Sequence, residues 1–195
     1  MTILVSLLSC TSQEDKLERL YCIHPDSVIA HYDLSGDSLK EFPDLSMYVI
    51  RSLDLSHNQL NTLVPERLPL GLERLDMSHN LLKGELEVKK GSMPTLVELN
   101  LSYNRLLGIF IHESNLRRLI LAHNNLCSNI VVTGKALRYL DLSYNRLLNP
   151  HYETFPHETD TILWEGTPHG EGKMPPPPAL RCILRFPAPA KAKKE

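Results

Sequence analysis

Four cysteines in 195 residues (Cys10, Cys22, Cys127, Cys182) stand far apart with no CxxC spacing. That scatter excludes a disulfide framework or a zinc knuckle as the basis of the fold. Aromatic residues make up only 6%, so aliphatic side chains must build the core. No run approaches the ~18 apolar residues of a membrane span. The formal net charge of −2 gives no electrostatic reason to expect nucleic acid or an anionic membrane as partner. Neither a G-x-x-x-x-G-K-[ST] phosphate loop nor a G-x-S-x-G nucleophile elbow occurs. The chain therefore reads as a non-enzyme, with no cofactor, no bound metal and no small-molecule substrate.

What is present is leucine, in phase. The pattern L-x-x-L-x-L-x-x-N-x-L occurs six times. Its degenerate first copy is Ile29, Tyr32, Leu34, Asp37, Leu39, and the second is Ile50, Leu53, Leu55, Asn58, Leu60. Leu72, Leu75, Met77, Asn80, Leu82 form the third, and Leu96, Leu99, Leu101, Asn104, Leu106 the fourth. Leu116, Leu119, Leu121, Asn124, Leu126 and Leu137, Leu140, Leu142, Asn145, Leu147 complete the set. Alternation in x-L-x-L-x turns two leucines one way and their neighbours the other, so a lone strand cannot bury its apolar side. Stacking successive copies at ~4.8 Å makes a parallel sheet over a continuous leucine core. The amide of Asn58, Asn80, Asn104, Asn124 and Asn145 can donate to and accept from turn backbone, which predicts a structural asparagine ladder.

This pattern resembles the leucine-rich-repeat superfamily, whose unit is 20–29 residues long. The resemblance covers about residues 28–149. It implies an α/β-class leucine-rich-repeat solenoid: a right-handed curved superhelix with a parallel concave β-sheet. Prolines at 43, 65, 69 and 94 block helix on the return segments. They predict short extended or 3-10 convex segments in a helix-poor fold. The segment after Leu60 resembles the short proline-containing repeats of some bacterial members, but later repeats do not keep that proline, and no subfamily is assigned.

The chain divides into an N-terminal cap over 1–24, six repeats over 25–149, a C-terminal cap over 150–166 and a proline-rich basic tail over 167–195. Ser12-Gln13-Glu14-Asp15 opens a short helix through Leu20 in the first cap. Tyr152, Phe155, Ile162, Leu163 and Trp164 are the apolar residues available to the second. Nine of the fourteen prolines lie from Pro150 to Pro189, a composition that suits a spacer.

Alternation assigns four outward columns. They run His31, Ser52, Arg74, Glu98, Arg118, Tyr139; then Asp33, Asp54, Asp76, Asn100, Ile120, Asp141; then Ser35, Ser56, Ser78, Ser102, Ala122, Ser143; and last Gly36, His57, His79, Tyr103, His123, Tyr144. The fifth repeat breaks the Asp and Ser columns with Ile120 and Ala122. Tyr103, Tyr139, Tyr144, Arg118 and His123 surround them by register, and Arg74 lies in the same face. Apolar atoms ringed by tyrosine and arginine have the composition of a protein-binding hot spot. His57, His79 and His123 share a column, but Tyr103 interrupts it, so the row does not read as a metal site.

The resemblance implies a non-catalytic protein-protein interaction module, an adaptor or regulatory subunit with a protein partner. Two alternatives stand beside it: the recognition module of a larger enzyme or receptor, and a secreted recognition protein. The opening MTILVSLLSC lacks a basic n-region. A glycan on Asn100-Leu101-Ser102, the only acceptor pattern, would obstruct the binding face. Both features predict a cytoplasmic or nuclear setting.

Overall fold

The computed structural model describes residues 16–113, 115–127, 130–147, 159–163 and 165–166. The start of the N-terminal cap, the tail over 167–195, Cys10, Cys182, Tyr152, Phe155 and Trp164 lie outside the described residues.

In chain order the elements are helix α1 (Lys16–Tyr21), β1 (Val28–Ile29), β2 (Tyr32–Asp33), β3 (Val49–Ile50) and β4 (Ser52–Asp54). A 3-10 turn at Pro65–Arg67 follows, then β5 (Arg74–Asp76), β6 (Lys83–Val88), β7 (Glu98–Asn100) and β8 (Arg105–Ile111). The order ends with β9 (Arg118–Ile120), β10 (Ile130–Val132), β11 (Tyr139–Asp141) and β12 (Thr161–Leu163). The main sheet is parallel and seven-stranded, ordered β2-β4-β5-β7-β9-β11-β12. It is the stack of repeats that the spacing predicts, and the fold is a helix-poor leucine-rich-repeat solenoid.

Its register pairs leucine with leucine: Leu53 opposite Leu75, Leu75 opposite Leu99, Leu119 opposite Leu140. These residues, with Leu55, Met77, Leu101, Leu121 and Leu142, are at most 1% exposed. Each fully buried leucine contributes about 1.5–3 kcal/mol of transfer free energy, so the column as a whole dominates stability. The return segments carry a second parallel sheet, β6-β8-β10. There the register steps from Gly84 opposite Leu106 to Glu85 opposite Gly108. Leu107 is thereby left over as a bulge residue and stands exposed.

The asparagines tie turn to turn. Asn104 Nδ2 donates to Met77 O at 2.9 Å and Leu101 O at 3.1 Å, while its Oδ1 accepts the Leu82 N–H at 3.0 Å. Asn58, Asn80, Asn124 and Asn145 repeat that geometry, each with one donor bond and one acceptor bond to the preceding repeat. Asp37 holds the place in the first repeat. Lys16 of α1 lies 3.8 Å from its carboxylate and donates to Ser35 O at 2.6 Å, and the Tyr32 hydroxyl donates to Lys16 O. Helix α1 is thus fastened to the first turn, and it buries Leu20 completely.

The segment read as a C-terminal cap contributes a strand. In β12, Ile162 is 1% exposed and sits opposite Leu140. Thr159 is buried where earlier repeats place their first leucine. The sheet therefore continues into a seventh, partial repeat.

A ring column beside an apolar break

Each repeat turns after its strand at a residue with positive φ: His57, His79, Tyr103, His123 and Tyr144, all at 54–55°. A side chain in this left-handed region costs about 1–2 kcal/mol of backbone energy. The rings at these positions stack face to face in one unbroken column. Centroids are 4.2 Å apart for His57–His79, 4.1 Å for His79–Tyr103, 4.2 Å for Tyr103–His123 and 4.3 Å for His123–Tyr144, with planes within 11° of parallel. At about 0.5–1.5 kcal/mol per stacked pair, the four contacts offset much of the strain. Glycine occupies the slot beyond each end, Gly36 at φ +71° and Gly166 at φ +66°. A Cβ at Gly166 would collide with the Tyr144 ring, so the last ring is covered by backbone.

Beneath the rings, backbone N–H groups reach the next repeat: His57 N to Ser78 O at 3.0 Å, His79 N to Ser102 O at 3.0 Å, Tyr103 N to Ala122 O at 2.9 Å. Tyr103 does not break the column. It continues the stack and separates His123 from the other two imidazoles. Among the described residues no three His, Cys, Asp or Glu side chains gather as metal ligands.

Two placements differ from the sequence expectation. Ala122 is 8% exposed, and Ser56, Ser78, Ser102 and Ser143 of its column are buried too. Strand alternation stops at the Asp position, whose carboxylate accepts the N–H two residues on, as Asp54 does from Ser56 at 2.8 Å. The chain then folds under the ring column, so this column belongs to the turn and Ala122 offers no binding surface. Tyr103, His123 and Tyr144 make their ring contacts within the column, with Tyr103 and Tyr144 still 46% and 45% exposed.

The remaining expected residues meet on the main sheet. Ile120 is half-buried between Asn100 on β7 and Asp141 on β11, and Leu163 on β12 adjoins Asp141 on the far side. Arg118 lies over the Tyr139 ring at 4.1 Å and pairs with Glu98 at 3.0 Å. Glu98 reaches Arg74 at 3.8 Å. Burial, then Asp141, raises the Tyr139 pKa against the lowering effect of Arg118. Asn100, the glycan acceptor of the sequence, donates its amide to Asp76 Oδ2 at 2.8 Å.

Sequence reasoning gave Leu163 to the C-terminal cap and missed its place on the main sheet beside Asp141. The signal was Ile162, one repeat length beyond Leu140, with Gly166 in the ring slot. Glu113 was missed as well. It is buried and accepts the Gly91 and Met93 N–H groups at 3.3 and 2.7 Å, clamping a turn.

A parallel sheet of phased leucines, locked by an asparagine ladder and edged by a column of left-handed turns, defines a leucine-rich-repeat protein, and such repeats generally serve recognition. In keeping with this, the Leucine Rich Repeat family model matches residues 50–69, 95–113 and 136–157. The chain is 36% identical over 117 residues to Podocan-like protein 1 of Mus musculus. That match takes in 55% of this chain and 21% of that protein, so the chain spans about a fifth of its relative's length. Among solved structures, YopM from Yersinia enterocolitica WA-314 is similar at 19% identity and a TM-score of 0.45, over 82% of this chain and 44% of that one. The TLR13–ssRNA13 complex is similar at 19% identity and a TM-score of 0.35, over 71% and 28%. None of these supports the cytoplasmic or nuclear setting expected above. No helix among the described residues is long and apolar enough to cross a membrane.

Proposed function

We propose that the chain is a protein-recognition module whose partner docks on the main sheet across its last three strands, β9, β11 and β12. The observation that carries this reading is Ile120, a half-exposed apolar side chain in a column of Asp and Asn. Leu163 extends the apolar patch past Asp141, and Tyr139 beneath Arg118 supplies a rigid aromatic neighbour already stripped of part of its water. A preordered sheet reduces the entropy lost on binding. Tyr103, His123 and Tyr144 form a rim, and Arg74 lies at the outer edge of the contact. In this reading residues 1–24 and 150–166 close the two ends of the solenoid, and the adaptor or regulatory-subunit role follows from binding without catalysis.

The test is capture by wild-type protein beside Ile120→Arg and Leu163→Arg. Both variants should lose at least tenfold in partner recovery while keeping the wild-type unfolding midpoint. Full recovery by both would end this reading.

The partial overlap with a much longer relative favours a second reading, in which these repeats are the recognition part of a larger assembly. The compartment is a separate matter. A cytoplasmic or nuclear protein leaves Asn100 unmodified, and a glycan at that residue, read by intact mass on native material, would move the protein outside the cell.

A further inference from the structure

The ring column differs at its two ends. His57 and His79 are adjacent, 4.2 Å apart and nearly parallel. His123 instead lies between two phenol rings, at 4.2 and 4.3 Å. Two imidazolium rings stacked face to face repel. A single imidazolium between two tyrosine faces is held by their quadrupoles. The same protonation therefore loosens one end of the column and leaves the other intact.

We propose that the column is an acid-sensitive clasp with a built-in polarity: protonation of the His57–His79 pair unstacks the edge of the second and third repeats, while Tyr103–His123–Tyr144 stays closed. The inference does not depend on where partners dock, since it concerns the stacked edge and not β9, β11 and β12.

The charged groups around the column set the balance. Burial, and then the neighbouring His57, hold the His79 pKa below the ordinary histidine value; Asp76 opposes them and His123 adds to them. Asp54 and Asp141 occupy the equivalent place in their own repeats, each fixed by the serine N–H it accepts. Glu165 acts at the far end, where it raises the Tyr144 phenol pKa. Arg105 and Arg146 follow two residues after Tyr103 and Tyr144, and both are exposed. Asp76 is thus the carboxylate that acts on His79, and it opposes the effect of His57.

The sign follows from linkage. A histidine whose folded pKa is depressed leaves stability intact above the unfolded value of about 6.5. That stability is lost as pH falls below about 6.5, and the loss is complete below the folded pKa.

Amide exchange on the full chain at pH 7.5 and 5.0, corrected for intrinsic rates, tests the polarity. The His57 and His79 N–H groups, bonded to Ser78 O and Ser102 O, should exchange faster at pH 5.0 by at least severalfold, as local opening at that edge becomes easier. Those of Tyr103, His123 and Tyr144 should hold. His79→Tyr keeps the column, since tyrosine already occupies it at two positions, and should abolish the acceleration. His123→Tyr should leave it in place. Uniform acceleration along all five turns, no acceleration, or an unchanged response in His79→Tyr would each overturn the proposal.

Discussion

The second and third repeats and the fifth and sixth share one backbone and present different chemistry. In both halves an asparagine amide joins consecutive turns with nearly the same distances: Asn80 to Leu55 O at 2.9 Å, Asn124 to Leu101 O at 2.9 Å. On the sheet the earlier half shows Ser52, Asp54, Arg74 and Asp76, whereas the later half shows Arg118, Ile120, Tyr139 and Asp141. On the edge the earlier half stacks imidazoles and the later half tyrosines around one imidazole. The scaffold is thus indifferent to what it displays. Leucine and asparagine positions hold the solenoid, and the columns between them are free to specialise.

The largest effect should come from the part the halves have in common. Asn80→Ala and Asn124→Ala each delete donor bonds to two repeats and strand the Leu60 or Leu106 N–H in the interior. An unsatisfied buried group costs about 1–3 kcal/mol beyond the lost bonds. Each variant should therefore lose roughly 3 kcal/mol in urea unfolding, and the two losses should agree within about 1 kcal/mol, as central tendencies for such groups allow. A large gap between them would mean that the halves are not one scaffold.

Next comes the sheet surface. Ser52→Arg places the same new charge in the earlier half that Ile120→Arg places in the later one. Binding should fall at least tenfold in the second and hold within about twofold in the first, with both stabilities within ~0.5 kcal/mol of wild type, as for surface changes generally. Equal losses would erase the distinction between the halves as docking surfaces.

The edge column allows a finer separation, of strain from stacking. Tyr103→Ala removes two ring contacts and keeps a Cβ at φ 54°. Tyr103→Gly removes the same contacts and relieves the backbone. Alanine should be the less stable by about 1 kcal/mol, the left-handed penalty. Equal midpoints would mean that the turn carries little strain at this residue.

How much of this was legible in the sequence depended on whether a rule of local period applied. Leu53, Leu75, Leu99, Leu119 and Leu140 were placed by alternation, and each is buried in the core of the parallel sheet. Ala122 was misplaced by the same rule, because a period of two holds only while the strand lasts, and β9 ends at Ile120, in the place where other repeats cap the turn with an Asp or Asn side chain. The stacking of His57 through Tyr144 was hidden for a different reason. A column of mixed His and Tyr looks interrupted as a list of letters, whereas planar rings at one φ value stack whatever their heteroatoms. The seventh strand left a trace in Ile162 and Gly166, but Thr159 stands where the repeat pattern has its first leucine.

The smallest effect should be at Glu98, and it bears on why the later half could hold a binding surface ready. Glu98 lies between Arg74 and Arg118, at 3.8 and 3.0 Å, with about a third of its side chain exposed. Glu98→Gln removes the charge and keeps the shape. An exposed pair of this kind contributes 0.2–1 kcal/mol, screened by salt at a Debye length of about 8 Å. The loss should stay under about 1 kcal/mol at low ionic strength and vanish in ~1 M salt. Arg118 also rests on Tyr139 at 4.1 Å, a contact that salt weakens less because ring and cation meet in van der Waals range. If that stack alone fixes Arg118, Glu98→Gln should bind the partner as wild type does at high salt. If binding collapses there, it is the Glu98 charge that orders the arginine, and the later half is prepared by electrostatics rather than by its aromatic ring.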